Sequence, residues 1–393
     1  ACAENGLLCL IFVLIIDAFL IGGVFYPIRV VGPSMIPALY GPRMELTCPR
    51  CGFSQACCAV TQSSGECWER SVCPNCGGRL VQLGDSQPGD TQQSRYVPGD
   101  RVVILKSVWR TWRRWDVVAF HNVGERGGLT VKRIVGLPGE RIEIRDGVLF
   151  VNECPEPRPW EIQRVTSNLV FSPSLPDDSP IQLEAGSQGP HLRMRTIEHP
   201  VTTYCYYHPA LDQREKPTRN VILSFRLMAF APATHLRIRS DFGQGCFDLI
   251  LNLPLEYTVT YFAESPDDGT PREHHVSGAL PVSSGRGDYV ISLVDRQFLL
   301  VVNNHAVVQL PYSAGPLTKP IPRPFEIIVE EGSATLTELR LWRVSPYRDE
   351  RGFSQPLNGY YLLGDDPHVS IDSRHFGTVS GSRIIGRVLK WPF

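Results

Sequence analysis

The sequence has almost no net charge, few long apolar runs and no histidine in a recognisable triad context. Its 393 residues carry 39 basic and 40 acidic side chains, so the total charge gives no reason to expect a nucleic acid or another polyanion as partner. The ten histidines are scattered, which excludes an obvious histidine-based triad. One apolar run, at residues 7–26, is long enough to cross a bilayer, and no later segment can form a second span.

The run "LLCLIFVLIIDAFLIGGVFY" has the length of a membrane-spanning helix, about 20 residues. Asp17 interrupts it, but a single ionisable residue adds a cost without preventing insertion. A cleaved signal peptide is the alternative, and it normally has a shorter apolar core and a small-x-small site. The bulky "YPIRVVG" offers no such site, so we predict a retained anchor over residues 1–28. Arg29 after the run and Glu4 before it weakly place the rest of the chain in the cytoplasm.

Four of the twelve cysteines form two CxxC pairs, "CPRCG" and "CPNCGG". Two such turns bring four thiolates to tetrahedral reach of one metal ion, and the following glycines let the backbone wrap around it. We predict a zinc-ribbon-like insertion over residues 44–96, with structural Zn²⁺ held by Cys48, Cys51, Cys73 and Cys76. The alternative is a pair of disulfides, which an extracytoplasmic location would permit but which CxxC turns would strain.

Glycine and proline are abundant, with 34 and 33 residues, and valine- and isoleucine-rich segments lie between them. This composition favours short strands joined by turns, so we predict a mainly β protein. Strand-like segments over residues 97–153 resume in similar style near the C-terminus, which predicts one domain interrupted by insertions. We assign residues 29–43, 97–153 and 355–393 to that domain.

The second strand-rich region predicts a jelly-roll or lectin-like β-sandwich, within an insertion over residues 154–354. In "VDRQFLLVVNNHAVVQLPY" the two asparagines predict a hairpin turn, because asparagine tolerates positive φ. Prolines and serines dominate residues 153–190, which we interpret as a linker or a long irregular passage.

One serine lies just beyond the apolar run, in "VVGPSMIPALYGP". Ser34 needs a base to act as a nucleophile, and the alternative to histidine is a lysine that burial keeps neutral. Lysine is scarce in the strand-rich regions, and Lys132 in "LTVKRIVGLPGE" stands among valine, isoleucine and leucine. From periodicity alone, the favoured position of Lys132 is outward on an alternating strand.

Four segments behind the anchor, in the matching order, resemble those of type I signal peptidases, which are membrane-anchored Ser/Lys proteases. "GPSMIPALYGP" resembles the family's Ser-Met-x-Pro-Thr-Leu box, with Ala38 for threonine, and "RWDVVAF" resembles Arg-Gly-Asp-Val-Val-x-Phe, with Trp115 for glycine. "VKRIVGLPGERIEI" matches the lysine box, and "GDDPHVSIDSRHFG" resembles Gly-Asp-Asn-x-x-x-Ser-x-Asp-Ser-Arg. In this last box the more usual Asn, Arg, Asp and Asn are replaced by Asp366, Pro367, His368 and Val369. The resemblance covers about half of the chain and leaves out both insertions.

The resemblance implies a role for each matching residue. Ser34 would attack the scissile carbonyl and form an acyl-enzyme. Lys132 would take its proton, pass it to the leaving amine and activate the deacylating water. Ser370 would hydrogen-bond the lysine amine, and Asp372 and Arg374 would pair to hold their loop.

The resemblance also implies an oxyanion site formed by the Ser34 backbone N–H. Some family members add a serine hydroxyl two residues before the nucleophile, but this chain has Gly32 there, so that donor is absent. We assign Met35 and Pro37 to substrate binding, with Met35 lining the pocket or the lipid-facing rim.

The expected function is removal of signal peptides from exported preproteins by a membrane-bound serine endopeptidase without a catalytic cofactor. Its partners would be signal peptides and the lipid bilayer, with a glycan or a protein at the β-sandwich and no nucleic acid. Family topology places the catalytic part on the extracytoplasmic side of the cell (inner/cytoplasmic) membrane, against the charge pattern.

Two other hypotheses stay open. One is a catalytically impaired peptidase fold that acts as a scaffold, with the sandwich as its binding module. The other is a self-cleaving repressor-type Ser/Lys protease, which would need no anchor and would usually carry a DNA-binding segment.

Overall fold

The computed structural model describes residues 23–58, 73–76, 94–106, 111–121, 128–172, 181–184, 191–194, 218–264, 271–282, 284–317, 319, 321, 323–348 and 356–390. The predicted anchor, residues 1–28, lies outside this part of the chain except for its C-terminal end. Within that end, residues 25–28 belong to a strand, Phe25–Arg29. Among the described residues, no helix combines the length and the apolar character needed to cross a bilayer.

The described elements are mostly strands. The first ten are β1 (Phe25–Arg29), β2 (Arg43–Thr47), β3 (Ser54–Cys58), β4 (Ser94–Val97), β5 (Arg101–Lys106), β6 (Val117–His121), β7 (Leu129–Gly136), β8 (Ile142–Arg145), β9 (Val148–Val151) and β10 (Cys154–Pro155). Helix α1 (Trp160–Val165) follows. The next are β11 (Ser167–Phe171), β12 (Ile181–Glu184), β13 (His191–Met194), β14 (Val221–Phe230), β15 (His235–Asp241), β16 (Gly245–Asn252), β17 (Glu256–Glu264), β18 (Pro271–Ala279), β19 (Gly287–Ser292), β20 (Gln297–Val302), β21 (His305–Pro311), β22 (Phe325–Glu331) and β23 (Ser333–Val344). The last are β24 (Tyr361–Leu363), helix α2 (Ser373–Phe376) and β25 (Ile384–Lys390).

A six-stranded antiparallel sheet combines strands from three separate stretches of the chain, in the order β1–β5–β25–β6–β7–β24. Side chains of β6 and β7 alternate between its two faces. Ala119 and Val131 pack with Met35 on one face, and Val118 and Ile134 belong to a second apolar cluster on the other. Both faces of the sheet are therefore covered where β7 crosses it.

Two small sheets flank this one. Strands β8, β9 and β10 form a hairpin-based sheet whose apolar side chains pack with Val135, Tyr347 and Tyr361. Strands β3, β2 and β4 form the ribbon around the CxxC pairs. Leu46 and Phe53 pack there against the buried cysteines.

The remaining strands form a two-layer antiparallel β-sandwich. One sheet has the order β11–β23–β14–β19–β20–β21, with β12 also paired to β23, and the other has the order β13–β22–β15–β16–β17–β18. One continuous apolar core lies between them, with contributions from Phe225 and Phe298 in the first sheet and Phe247 in the second. The predicted hairpin is present, since Asn303 and Asn304 join β20 to β21 with φ values of 47° and 66°.

The linker predicted for residues 153–190 is wrong in its described part. Residues 154–172 form β10, helix α1 and β11, and β11 pairs with β23 of the sandwich. Prolines misled the prediction because they occupy element ends: Pro159 caps the start of α1, where a missing N–H costs no helical hydrogen bond.

A buried ion pair connects the sandwich to the segment that follows β10 of the small β8–β9–β10 sheet. Arg158 donates to both carboxylate oxygens of Asp295, at 2.7 and 2.6 Å, and to the Ser345 carbonyl at 3.0 Å. Its guanidinium also lies 4.7 Å from the ring centre of Tyr347, whose N–H donates to the Gly147 carbonyl. The segment that follows β23 is therefore held at this junction by an ion pair, a cation–π contact and a backbone hydrogen bond.

Candidate active site

Ser34 lies in a tight turn directly after β1. The N–H of Ile36 donates to the Pro33 carbonyl at 3.1 Å, and the N–H of Leu39 donates to the Met35 carbonyl at 2.8 Å. These two bonds make residues 33–39 a compact, nearly helical segment. The Ser34 hydroxyl is therefore held by local backbone structure.

Asp100 forms hydrogen bonds at both ends of this turn. Its carboxylate accepts from the Tyr40 N–H at 3.1 Å, its own N–H donates to the Tyr40 carbonyl, and its carbonyl accepts from the Val30 N–H. Gly99 precedes it because a side chain there would collide with the Val30 carbonyl. The "VPGD" segment thus fixes the serine turn from the connection between β4 and β5.

Lys132 lies on β7 and reaches the serine. Its Nζ donates to the Ser34 Oγ at 2.5 Å, and the residue is only 3% exposed. Burial lowers the pKa of this amine to about 8, although Asp372 and Asp365 raise it in part and Arg374 lowers it further. A large fraction of Lys132 is therefore neutral near pH 8, as a general base requires.

The position expected for Lys132 from strand alternation is wrong. Alternation predicts an outward side chain only where one face of a sheet meets water. Residues 132–136 of β7 are all buried because the sheet is covered on both faces. Tertiary packing, which the local pattern does not contain, places the amine inside the protein.

A buried ion pair lies next to Lys132. Arg133 donates to both oxygens of Asp365, at 2.7 and 2.6 Å, and to the Trp115 carbonyl at 2.9 Å. Arg133 and Asp365 have no role predicted from the sequence, although both lie inside the quoted motifs. Arg133 adjoins Lys132 and Asp365 belongs to the last box, and these positions were the signal that could have identified them.

Asp372 and Arg374 form a bidentate pair, at 2.8 and 2.9 Å, with both side chains buried. Asp372 also accepts from the Gly364 N–H at 3.0 Å and caps helix α2. Burial alone would raise the pKa of Asp372, but its bonds with Arg374 hold that pKa below its ordinary value. The pair fixes the loop that faces the serine turn.

Ser370 does not make the contact that was expected for it. Its hydroxyl is buried but makes no hydrogen bond among the described residues, so the expected bond to the Lys132 amine is not formed. It lies beside the Asp372 carboxylate. Gly364 allows this close packing, since a side chain there would collide with the Ser370 hydroxyl and the Ser34 carbonyl.

Three further predicted residues lie around the serine. Met35 is 2% exposed and packs with Val30 and Ile104 in the core, so its assignment to a substrate pocket or lipid-facing rim is wrong. Its side chain points beneath the turn because the β6–β7 face needs an apolar cover there. Pro37 is half-buried in the turn, and Gly32 has open space where a side chain would start.

Two apolar side chains close to Ser34 or Lys132 in the sequence are exposed. Val31, three residues before Ser34, is 83% exposed, and Leu129, three residues before Lys132, is also exposed. In the described part of the chain the Ser34 backbone N–H donates to no acceptor. This N–H is therefore available to a developing oxyanion.

A second cluster lies in the ribbon. The Sγ atoms of Cys48, Cys51, Cys73 and Cys76 all lie within 4.8 Å of one another. The Cys48–Cys76 and Cys51–Cys73 sulfur distances are 3.6 and 3.7 Å. The Asn75 side chain donates to the Cys51 sulfur and accepts from the Ser172 N–H, which connects the cluster to the end of β11.

Residues 86–194 match the family model described as signal peptidase, peptidase S26. The match supports the signal peptidase family for this part of the chain. It includes Lys132 and lies between Ser34 and the loop at residues 364–374 in the sequence. No curated protein sequence matches the chain.

Solved structures resemble the chain only weakly. Galectin-11 from sheep is 13% identical over 32% of this chain and 90% of that chain, with a TM-score of 0.23. A carbohydrate-binding module from Bacillus subtilis is 8% identical over 31% and 74%, with a TM-score of 0.21. A native glycosidic hydrolase is 8% identical over 44% and 78%, with a TM-score of 0.28.

Proposed function

We propose that this protein is a membrane-bound serine endopeptidase that removes N-terminal signal peptides by a Ser34/Lys132 dyad. The observation that supports this most is the 2.5 Å contact between the Lys132 Nζ and the Ser34 Oγ, made by a buried amine. A charged lysine could only donate to the serine, whereas a neutral amine can accept its proton. The pKa of about 8 makes the neutral form accessible near physiological pH.

The chemistry proceeds in two steps. Neutral Lys132 takes the hydroxyl proton while the Ser34 Oγ attacks the scissile carbonyl carbon, and the Ser34 N–H stabilises the oxyanion. The ammonium then protonates the leaving amine, which departs and leaves an acyl-enzyme. In the second step the neutral amine activates a water molecule, which attacks the ester and releases the acyl product.

The surroundings of the dyad support an extended substrate. The exposed Val31 lies three residues before Ser34, between β1 and the serine turn. A peptide in β conformation could gain main-chain hydrogen bonds there and place small side chains in a shallow apolar site. We assign Pro37 to shaping this site and Ser370, Asp372 and Arg374 to supporting the dyad.

The proposed location is the extracytoplasmic face of the cell (inner/cytoplasmic) membrane. The apolar run at residues 7–26 would anchor the chain, and Ser34 follows it by only a few residues. The exposed Phe25 and Tyr26 lie at the start of β1. Aromatic side chains in this position suit the membrane–water interface.

The four cysteines fit a structural Zn²⁺ ion, which we assign to this ribbon. Sulfurs about 2.3 Å from a tetrahedral zinc lie about 3.8 Å apart, close to the 3.6 and 3.7 Å found here. A disulfide needs about 2.05 Å instead. The four-sulfur site has no open position, so the metal would hold the ribbon without taking part in peptide cleavage.

One experiment tests the zinc assignment without an activity assay. Purified wild type should contain about one zinc ion per chain, and a Cys48→Ser/Cys76→Ser variant should lose it. Cys246→Ser is the matched control, because this buried cysteine lies in the sandwich. Unchanged zinc in the double variant would contradict the assignment.

Another experiment tests the function. Detergent-solubilised protein is incubated with a preprotein that carries an Ala-x-Ala site, alongside Ser34→Ala and Lys132→Ala. Wild type should cleave at that site and both variants should not, whereas Ser382→Ala and Lys319→Ala, at exposed positions, should cleave normally. Cleavage by the Lys132→Ala variant would overturn the dyad.

The second candidate is an impaired peptidase fold whose sandwich binds a glycan or a protein. The Ser370 hydroxyl, which makes no bond to Lys132, is the observation that favours it. The same incubation distinguishes the two, because the scaffold hypothesis predicts an intact preprotein with wild type.

A further inference from the structure

Three buried arginines bind a carboxylate through the same side of the guanidinium group. Arg133, Arg158 and Arg374 each donate from Nε and Nη2 to both oxygens of one aspartate, at distances between 2.6 and 2.9 Å. The N–H bonds on this side are parallel, and their spacing matches two oxygens of a carboxylate or a phosphate. At all three positions, the buried positive charge therefore has an acceptor with two oxygens.

Arg219, just before β14, has its guanidinium group buried without such an acceptor. The residue is 8% exposed, and its Nε and Nη2 atoms are both buried. Neither atom has a hydrogen-bond partner among the described residues. Burial lowers the pKa of Arg219, as expected for a cation that has left water without an anion in contact with it. The side of the group that binds a carboxylate elsewhere in the protein is thus unsatisfied here.

A second arginine lies near Arg219. Asn220, the next residue, accepts from the Asp295 N–H at 3.2 Å, and Asp295 directly precedes Arg296. The positive charge of Arg296 lowers the pKa of Arg219 further. The Arg296 Nη2 donates to the Asp146 carboxylate at 2.7 Å, but its Nε is buried and has no acceptor in the described part of the chain. Both arginines therefore keep buried N–H donors that the described residues do not satisfy.

The two carboxylates of this cluster already have partners. Asp295 pairs with Arg158, and Asp146 pairs with Arg296. Three guanidinium groups therefore share two carboxylates, and the excess positive charge is that of Arg219. The side chains of Arg296 and Asp146 are 21% and 46% exposed, so the cluster borders the solvent.

We propose that the Nε/Nη2 side of Arg219 is a binding site for a small oxyanion, either a phosphate or a carboxylate, with Arg296 beside it. Two oxygens of the ligand accept the two N–H bonds, in the geometry that the aspartates adopt at the three paired arginines. The negative charge of the ligand balances the excess positive charge of the cluster. The site lies at the junction of the sandwich with the small β8–β9–β10 sheet, and it does not depend on the proposed peptidase function.

The test titrates the purified full-length protein with inorganic phosphate and, separately, with acetate, in a calorimeter at constant ionic strength set by chloride. Wild type should bind one ion per chain with saturation, and the ion that binds more tightly shows whether phosphate or carboxylate is preferred. Arg219→Met should weaken that binding by at least about tenfold, because a charge-assisted bidentate contact is lost. Arg226→Met is the matched control and should bind as wild type does, because this arginine is exposed and paired on the same sandwich.

Thermal unfolding separates loss of binding from loss of structure. Without added anion, Arg219→Met should be at least as stable as wild type, because it removes a buried charge that has no partner. Added phosphate or acetate, whichever binds, should raise the unfolding midpoint of wild type more than that of the variant. Arg219→Lys keeps the charge without the two parallel N–H bonds and should bind more weakly than wild type.

Three results would overturn the site. The first is the absence of saturable binding of either ion by wild type at concentrations up to tens of millimolar. The second is equal affinity in wild type and Arg219→Met. The third is a lower unfolding midpoint of Arg219→Met without added anion, which would show that Arg219 stabilises the protein through a partner of its own.

Discussion

Two buried cations in this molecule have opposite environments. Lys132 in the six-stranded sheet has no carboxylate at ion-pair distance among the described residues, and burial lowers the pKa of its amine to about 8. Arg158 at the sandwich junction is also buried, but Asp295 pairs with it at two atoms and raises its pKa above the ordinary value. The unpaired cation is suited to exchange a proton, and the paired one is suited to hold structure.

The largest expected effect is the loss of the unpaired amine. Lys132→Met should reduce kcat/KM by at least about 10³-fold, because the dyad loses its only base. Stability should not fall, since methionine fills a similar volume without a desolvated amine. Preprotein cleavage and thermal unfolding measure the two effects. A folded variant with more than a tenth of wild-type activity would contradict the role of Lys132.

Removing the carboxylate that pairs with Arg158 should mainly reduce the stability of the protein. Asp295→Ala leaves Arg158 buried and uncompensated, and we expect the free energy of unfolding to fall by about 3–5 kcal/mol. Asp288→Ala is the control, because its pair with Arg226 is exposed and exposed pairs contribute about 0–1 kcal/mol. Denaturant unfolding measures both. Equal losses in the two variants would show that burial does not distinguish them.

Asp365 acts on one paired cation and on one unpaired cation at the same site. This carboxylate pairs with Arg133 and also raises the pKa of Lys132. Asp365→Asn should therefore shift the activity profile toward lower pH, because the neighbouring amine would lose its proton more readily. The midpoint of log kcat/KM against pH measures the shift. A midpoint that moves upward would contradict the electrostatic assignment.

The smallest expected effect is an increase in kcat when Gly32 is replaced by serine. No atom lies within 4 Å of the position a side chain would occupy there, so Gly32→Ser can add a hydroxyl without a collision. We expect kcat to rise by a few-fold (about 2–10) if that hydroxyl reaches the oxyanion. Gly32→Ala, which adds the carbon without the hydroxyl, should not produce the gain. Equal rates for the two variants would show that no donor was added.

Sequence motifs correctly predicted which residues meet at the site. Local sequence patterns did not predict which of these residues are buried. Ser34 and Lys132 are 98 positions apart, and only the motifs indicated that they meet. Alternation placed Lys132 outward, and Met35 was assigned to substrate, because neither pattern contains the apolar layer that covers β6 and β7. Arg133 and Asp365 were missed for a similar reason, since they pair across 232 positions.

Local chemistry predicted other features well. The Asn303–Asn304 turn follows from the tolerance of asparagine for positive φ. The close approach of four cysteines follows from the CxxC spacing. The segment around α1 was missed because proline abundance indicates element ends as readily as it indicates a linker.

The most direct measurement of the central claim is the pH dependence of preprotein cleavage by wild type between pH 6 and 10. An unpaired, buried Lys132 predicts that log kcat/KM rises with pH and levels off with a midpoint near 8, as its pKa of about 8 requires. A midpoint near 10, or a rate independent of pH across this range, would show that Lys132 does not act as the neutral base.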